Sequence, residues 1–142
     1  MKRQRGIVAL ELALILPVVL TLLTAVLYLG RLTYNYEVIR KASNDGVRYL
    51  SSVAAVNLRS AALATHESNL TQAIVQAELG ALSSNAVVVV SCDNAPCMQN
   101  GAVPAEVSII VIMQVPNLFP GYLPELLDQR LTITSKARYA GN

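Results

Sequence analysis

Charge is scarce in this sequence. Asp, Glu, Lys and Arg together make up 14% of its 142 residues, and the formal net charge is only +2. Lys2, Arg3 and Arg5 bring more positive charge than that by themselves, so the remainder is about neutral and offers no basic patch for nucleic acid. Aromatic residues are few too, with no Trp and one Phe. The sole histidine, His66, and two cysteines are too few for a metal site, and no nucleophile and base arrangement, phosphate loop or carboxylate pair stands out. No enzyme activity, cofactor or metal is therefore expected. What the chain has in abundance is apolar residues, at 54%, which exceeds a typical soluble domain. Its length accommodates one modest folded unit, or a long anchor plus one small domain.

Most of that excess lies near the start. From Ile7 to Leu29 the only charge is Glu11 and the only other polar residues are Thr21 and Thr24. As a helix this run reaches about 35 Å at about 1.5 Å per residue, enough to cross the hydrocarbon core of a membrane. A secretory signal peptide has a shorter apolar region and a small-residue cleavage site; Leu27-Tyr28-Leu29-Gly30-Arg31 is a poor one. The basic cluster before the run places the N-terminus in the cytoplasm. Pro17 removes a backbone donor within the span, which membrane helices tolerate when neighbours satisfy the freed carbonyl. Glu11 is harder to place, because a carboxylate at a membrane helix centre costs about 2.5 to 3.5 kcal/mol on insertion scales, although near an end it costs less and can snorkel.

The segment Arg5-Gly6-Ile7-Val8-Ala9-Leu10-Glu11, followed by the apolar run, resembles the class III leader of type IVb pilins and TadE-like pseudopilins. The likeness continues through Gly30-Arg31-Leu32 to Tyr36 and through Lys41-Ala42-Ser43-Asn44-Asp45-Gly46-Val47-Arg48-Tyr49, so it covers about the first fifty residues. Leu12 stands where many members carry an aromatic. The resemblance implies that a membrane-embedded prepilin peptidase cuts after Gly6, that Ile7 becomes the first mature residue, and that Glu11 is the fifth. A glycine on the amino side of the scissile bond lets extended backbone enter a narrow cleft. It further implies that Glu11 pairs with the new Ile7 ammonium of a neighbouring subunit, since two charges in a low-dielectric bundle are costly apart and cheaper together. The partners implied are the prepilin peptidase, other pilins or pseudopilins through their N-terminal helices, an inner-membrane assembly platform and membrane lipid. The location implied is the inner membrane, single-pass, with a periplasmic or extracellular head that can enter a Tad-type (Flp) pilus. A chain of this length matches the minor class. The competing reading is an unprocessed single-pass anchor that tethers a partner outside the membrane.

Beyond Gly30, residues Leu32, Tyr36, Ile39, Ser43, Val47, Leu50 and Val53 keep near-helical spacing, so the membrane helix is expected to continue as an amphipathic stalk. Gly46 costs about 1 kcal/mol inside a helix, so it marks a bend, a close helix contact or a glycine that is simply tolerated. Thr65-His66-Glu67-Ser68-Asn69 reads as a break that leaves His66 in a solvated loop, with Asn69 and Gln72 capping a second helix through Leu82. Three strands follow, around Val87–Val90, Val107–Val115 and Leu131–Tyr139, each alternating or β-branched. Cys92 and Cys97 flank the turn-forming Asp93-Asn94-Ala95-Pro96, and in an oxidising compartment a local disulfide is expected. The segment with Pro116, Pro120, Gly121 and Pro124 reads as a loop whose Leu118, Phe119, Tyr122 and Leu123 either meet a partner or pack on the sheet. The expected fold is α+β: a leader at 1–6, a transmembrane helix at 7–29, a stalk helix at 30–64, and a small head at 65–142 with a second helix and a three-stranded antiparallel sheet.

Overall fold

A computed structural model describes residues 4–97, 102–115 and 129–141, with side chains from Val8 onward. It has the expected α+β composition. Helix α1 runs Gln4–Ser52, a short α2 spans Ala55–Arg59, and α3 spans Ala61–Leu79. A 3-10 segment, Gly80–Asn85, leads into β1 (Ala86–Cys92), β2 (Glu106–Val115) and β3 (Gln129–Arg138). The chain divides into two compact units, Met1–Tyr34 and Asn35–Asn142.

The sheet has the order β1-β2-β3 and is antiparallel throughout, with Val88 opposite Val111 and Val111 opposite Ile133. Strand alternation decides its faces. Val107, Ile109, Val111, Met113 and Val115 are all buried on one face of β2, joined by Val88, Val90 and Cys92 from β1. The helices of the second unit supply the rest of that core, through Ile39, Ala42, Val47 and Leu50 of α1 and Ala64, Thr71, Val75 and Leu79 of α3. Gly46 is the point of closest approach: a Cβ built there would lie 2.4 Å from Val75 Cγ2 and 2.7 Å from Ile109 Cδ1. Hydrogen instead of methyl is what lets α1 settle on both α3 and β2.

The helical boundaries differ from those read in the sequence. The stalk helix expected over 30–64 ends at Ser52, because Ser51 and Ser52 turn their hydroxyls back onto the carbonyls of Arg48 and Tyr49, at 2.9 and 2.8 Å, and loosen the last turn. The carbonyls released there are taken up from far along the chain. Ala140 N–H donates to Ser51 O at 3.1 Å, and the Tyr139 hydroxyl donates to Val53 O. Residues 65–69, expected as a break, lie inside α3, so His66 sits on a helix and Asn69 does not cap one. The burial of Ala64, Glu67, Thr71 and Val75 at helical spacing outweighs the weak propensity of that stretch. Helix α3 stops at Leu79, three residues before the expected Leu82, because Gly80 adopts φ 54° and its N–H turns back to Ala77 O and Gln76 O. Tyr36 of the expected stripe is exposed, and Asn35 beside it is buried. The expected loop from Pro116 to Pro124 lies outside the described residues.

Candidate functional site: an uncovered apolar helix with one acid

In the first unit α1 has no buried face. Leu10, Leu12 and Leu14 are 71%, 63% and 70% exposed, although residues two apart point to opposite sides of a helix. None of the most apolar window of α1 is buried within the chain. A helix of a soluble domain shows an apolar stripe and a polar face; one that is apolar all round belongs in a membrane or among other helices. Its polar groups are handled internally. Thr21, Thr24 and Thr33 donate their hydroxyls to Val18 O, Leu20 O and Leu29 O at 2.8, 2.9 and 3.0 Å. Pro17 sits within the helix and does not interrupt it.

Glu11 is the exception. It is exposed, and among the described residues it makes no ion pair. Gly6 and Ile7 lie in the helical backbone of α1, so Ile7 is about one helical turn before Glu11. Arg5 is in the same first turns, whereas Lys2 and Arg3 fall outside the described residues.

The second unit carries its polar side chains as clamps. Glu67 is only 9% exposed, and its carboxylate accepts from the Tyr49 hydroxyl at 2.8 Å and from Asn57 Nδ2 at 2.9 Å, which ties α1, α2 and α3 together. Burial, and then the Glu67 carboxylate, push the Tyr49 phenol above its ordinary value; burial does the same for Tyr139. Cys92 and Cys97 form the expected disulfide, with Cα atoms 4.8 Å apart. Inside that loop Asp93 and Asn94 adopt φ 51° and 65°, and Asp93 accepts from the backbone N–H groups of Ala105 and Glu106 at 2.9 to 3.1 Å. Sequence reading missed both carboxylate roles. Asp93 was legible as a turn former, but the amides it accepts from lie across a loop; Glu67 carried only the signal of its helical spacing from Ala64 and Thr71.

An open polar groove of about 620 Å³ lies along α1 beside β3, lined by Glu37, Arg40, Asp45, Arg48 and Lys136 among others. Among the described residues there is no group of three or more His, Cys, Asp or Glu placed to hold a metal ion.

A family model described as TadE-like protein matches residues 6–48, beginning at Gly6 and taking in Glu11, the whole uncovered span and the Gly46 contact. Over that stretch the chain is similar to that family. No curated protein and no solved structure matches it. The TadE-like stretch therefore takes in the apolar helix of the first unit and the part of α1 that builds the core of the second.

Proposed function

We propose that this chain is a minor pilin-like (pseudopilin) structural or assembly subunit of a Tad-type (Flp, type IVb) pilus, processed by a prepilin peptidase after Gly6. The observation that carries the reading is the lone Glu11 in a TadE-like apolar helix with no covered side. Such a helix packs laterally against lipid and against other helices. A carboxylate on it is retained at a cost unless an opposite charge meets it. Cleavage after Gly6 creates that charge, the Ile7 ammonium, and a neighbouring copy or a related pilin brings it to Glu11. Because a buried pair adds little net stability, its work is to select one axial stagger.

The basic Lys2, Arg3 and Arg5 keep the cleavage site at the cytoplasmic face, where the peptidase acts. The head then stands on the periplasmic side, an oxidising compartment in keeping with the Cys92–Cys97 disulfide. Assembly through an inner-membrane platform follows from the same arrangement.

N-terminal sequencing and intact mass of the chain purified from its native membrane test this. A start at Ile7 is expected, and Gly6→Val holds the chain at precursor mass. A retained Met1 on the native protein refutes processing and leaves the single-pass anchor.

A further inference from the structure

The two outer edges of the sheet differ in how they are closed. β1 is closed at both ends: Cys92 exchanges hydrogen bonds with Ala95, and the Ala86 N–H donates to Ser83 O. β3 is open along most of its length. Tyr139 N–H donates to Ala105 O, in line with β2, so strand alternation turns the N–H and C=O groups of Arg130, Thr132, Thr134, Lys136 and Arg138 away from the sheet. None of these groups is bonded among the described residues, whereas the next in the series, the Ala140 N–H, is taken by Ser51 O. The core face of β3 is also only half covered. Leu131, Ile133 and Ala137 are partly exposed, while Met113, Val111 and Val107 opposite them on β2 are buried. Beside Lys136 and Ala137 the polar groove follows α1, whose Asn44 accepts from the Ser135 hydroxyl at 2.9 Å. Lys41 and Lys136 are paired with Glu78 and Glu106. Arg40, Arg48, Arg130 and Arg138 make no ion pair among the described residues, and they outnumber the acids in the same position, Glu37 and Asp45.

We propose that the β3 edge receives an extended segment of another protein as a fourth strand, one that alternates acidic and apolar side chains. The open backbone groups from Arg130 to Arg138 supply the pairing. Alternation follows from the two faces of the edge. On the core face the incoming side chains continue the row of Leu131, Ile133 and Ala137 and shield it from water, so they are apolar. On the solvent face they stand beside Arg130, Lys136 and Arg138, where acids are favoured and cations repelled. A second copy of this chain does not supply such a strand: two β3 edges would set cation against cation, and Glu106, the sole acid in the three strands, is already paired. The same cations keep the edge from pairing indiscriminately, since a strand without acids gains nothing on the solvent face. Pairing at β3 concerns the head alone and holds whether or not the chain is cut after Gly6.

The probe is a short synthetic peptide alternating valine and glutamate, offered to the full-length chain in neutral micelles and followed by amide hydrogen exchange and by the anisotropy of a dye on the peptide. The Thr132, Thr134 and Lys136 amides should become protected, and those of Val88 and Val90 should not. A valine–lysine peptide of equal length should bind at least about tenfold more weakly, as should the valine–glutamate peptide methylated at its amide nitrogens. Arg130→Glu combined with Arg138→Glu should turn the preference toward the lysine peptide; both side chains are exposed, so the fold is left intact. Equal binding of the two peptides, no binding of either, protection at β1 instead of β3, or a preference that the charge reversal leaves unchanged would each overturn the proposal.

Discussion

Placing a methyl group on Gly46 tests the packing on which the head is built. An alanine Cβ would sit 2.4 Å from Val75 Cγ2 and 2.7 Å from Ile109 Cδ1, against the roughly 3.5 to 4.0 Å at which carbon atoms attract. Ile109 Cδ1 is the end of a flexible side chain and can swing away. Val75 is β-branched and fully buried, so its methyl yields only if α1 and α3 separate. Two effects oppose each other. Alanine gains about 1 kcal/mol of helix propensity over glycine, while overpacking a filled core costs about 1 to 3 kcal/mol. The net expectation for Gly46→Ala is a loss of about 1 kcal/mol, the overpacking prevailing. Val75→Ala alone removes two buried methyl groups and should lose about 2 kcal/mol. Combined, the new methyl occupies space the valine vacated, so the double variant should lose at least about 1 kcal/mol less than the sum of the single ones. Urea unfolding of the full chain in micelles, followed by the tyrosine near-ultraviolet signal, reads all four corners of the cycle. Additivity within about 0.5 kcal/mol, or a stabilised Gly46→Ala, would refute the contact.

Three further outcomes follow from the same structure. Glu11→Leu should be processed normally yet enter the assembled filament or complex at reduced yield, measured as the fraction of mature chain recovered with sheared pili; normal incorporation sinks the charge pairing. Reducing the Cys92–Cys97 bridge, or replacing both cysteines with serine, should cost about 2 kcal/mol of head stability from loop closure, read as a shift in the urea midpoint. The phenols of Tyr49 and Tyr139 are raised in the folded chain, so folding favours their neutral forms. Their contribution is intact below the ordinary value of 10.0 and is lost as pH climbs from there through the raised folded values. Alkaline unfolding should therefore steepen above that value, and Tyr49→Phe should flatten the slope; an unchanged slope contradicts the Glu67 clamp.

The elements that announced themselves most clearly were those with a strong local period. Strand β2 alternates so regularly from Val107 to Val115 that its buried face was legible, as was the uncovered run after Ile7. The likeness to TadE-like proteins over the first part of the chain was legible as well, because it rests on a linear pattern. Gly46 was open to a bend, a close helix contact or mere tolerance, and the structure decides for close contact, with Val75 and Ile109 as the groups that meet there. Helix boundaries were poorly legible for a physical reason. The stop at Ser52 depends on Tyr139 and Ala140, which satisfy the open carbonyls from a distance no local window spans. The continuity of α3 through His66 and Asn69 depends on burial of Glu67, and that burial is tolerated only because Tyr49 and Asn57 reach its carboxylate.

The clasp that Tyr139 and Ala140 make on the end of α1 joins the two ends of the second unit's sequence. These two residues follow the whole sheet, and the hydroxyl bond spans 86 positions of sequence, so the open carbonyls at the helix end meet these partners only where β3 lies on β2. A chain cut before Tyr139 would keep all three strands yet lose both donors, leaving the end of α1 open, so the last residues of the described chain guard a helix that begins near its first.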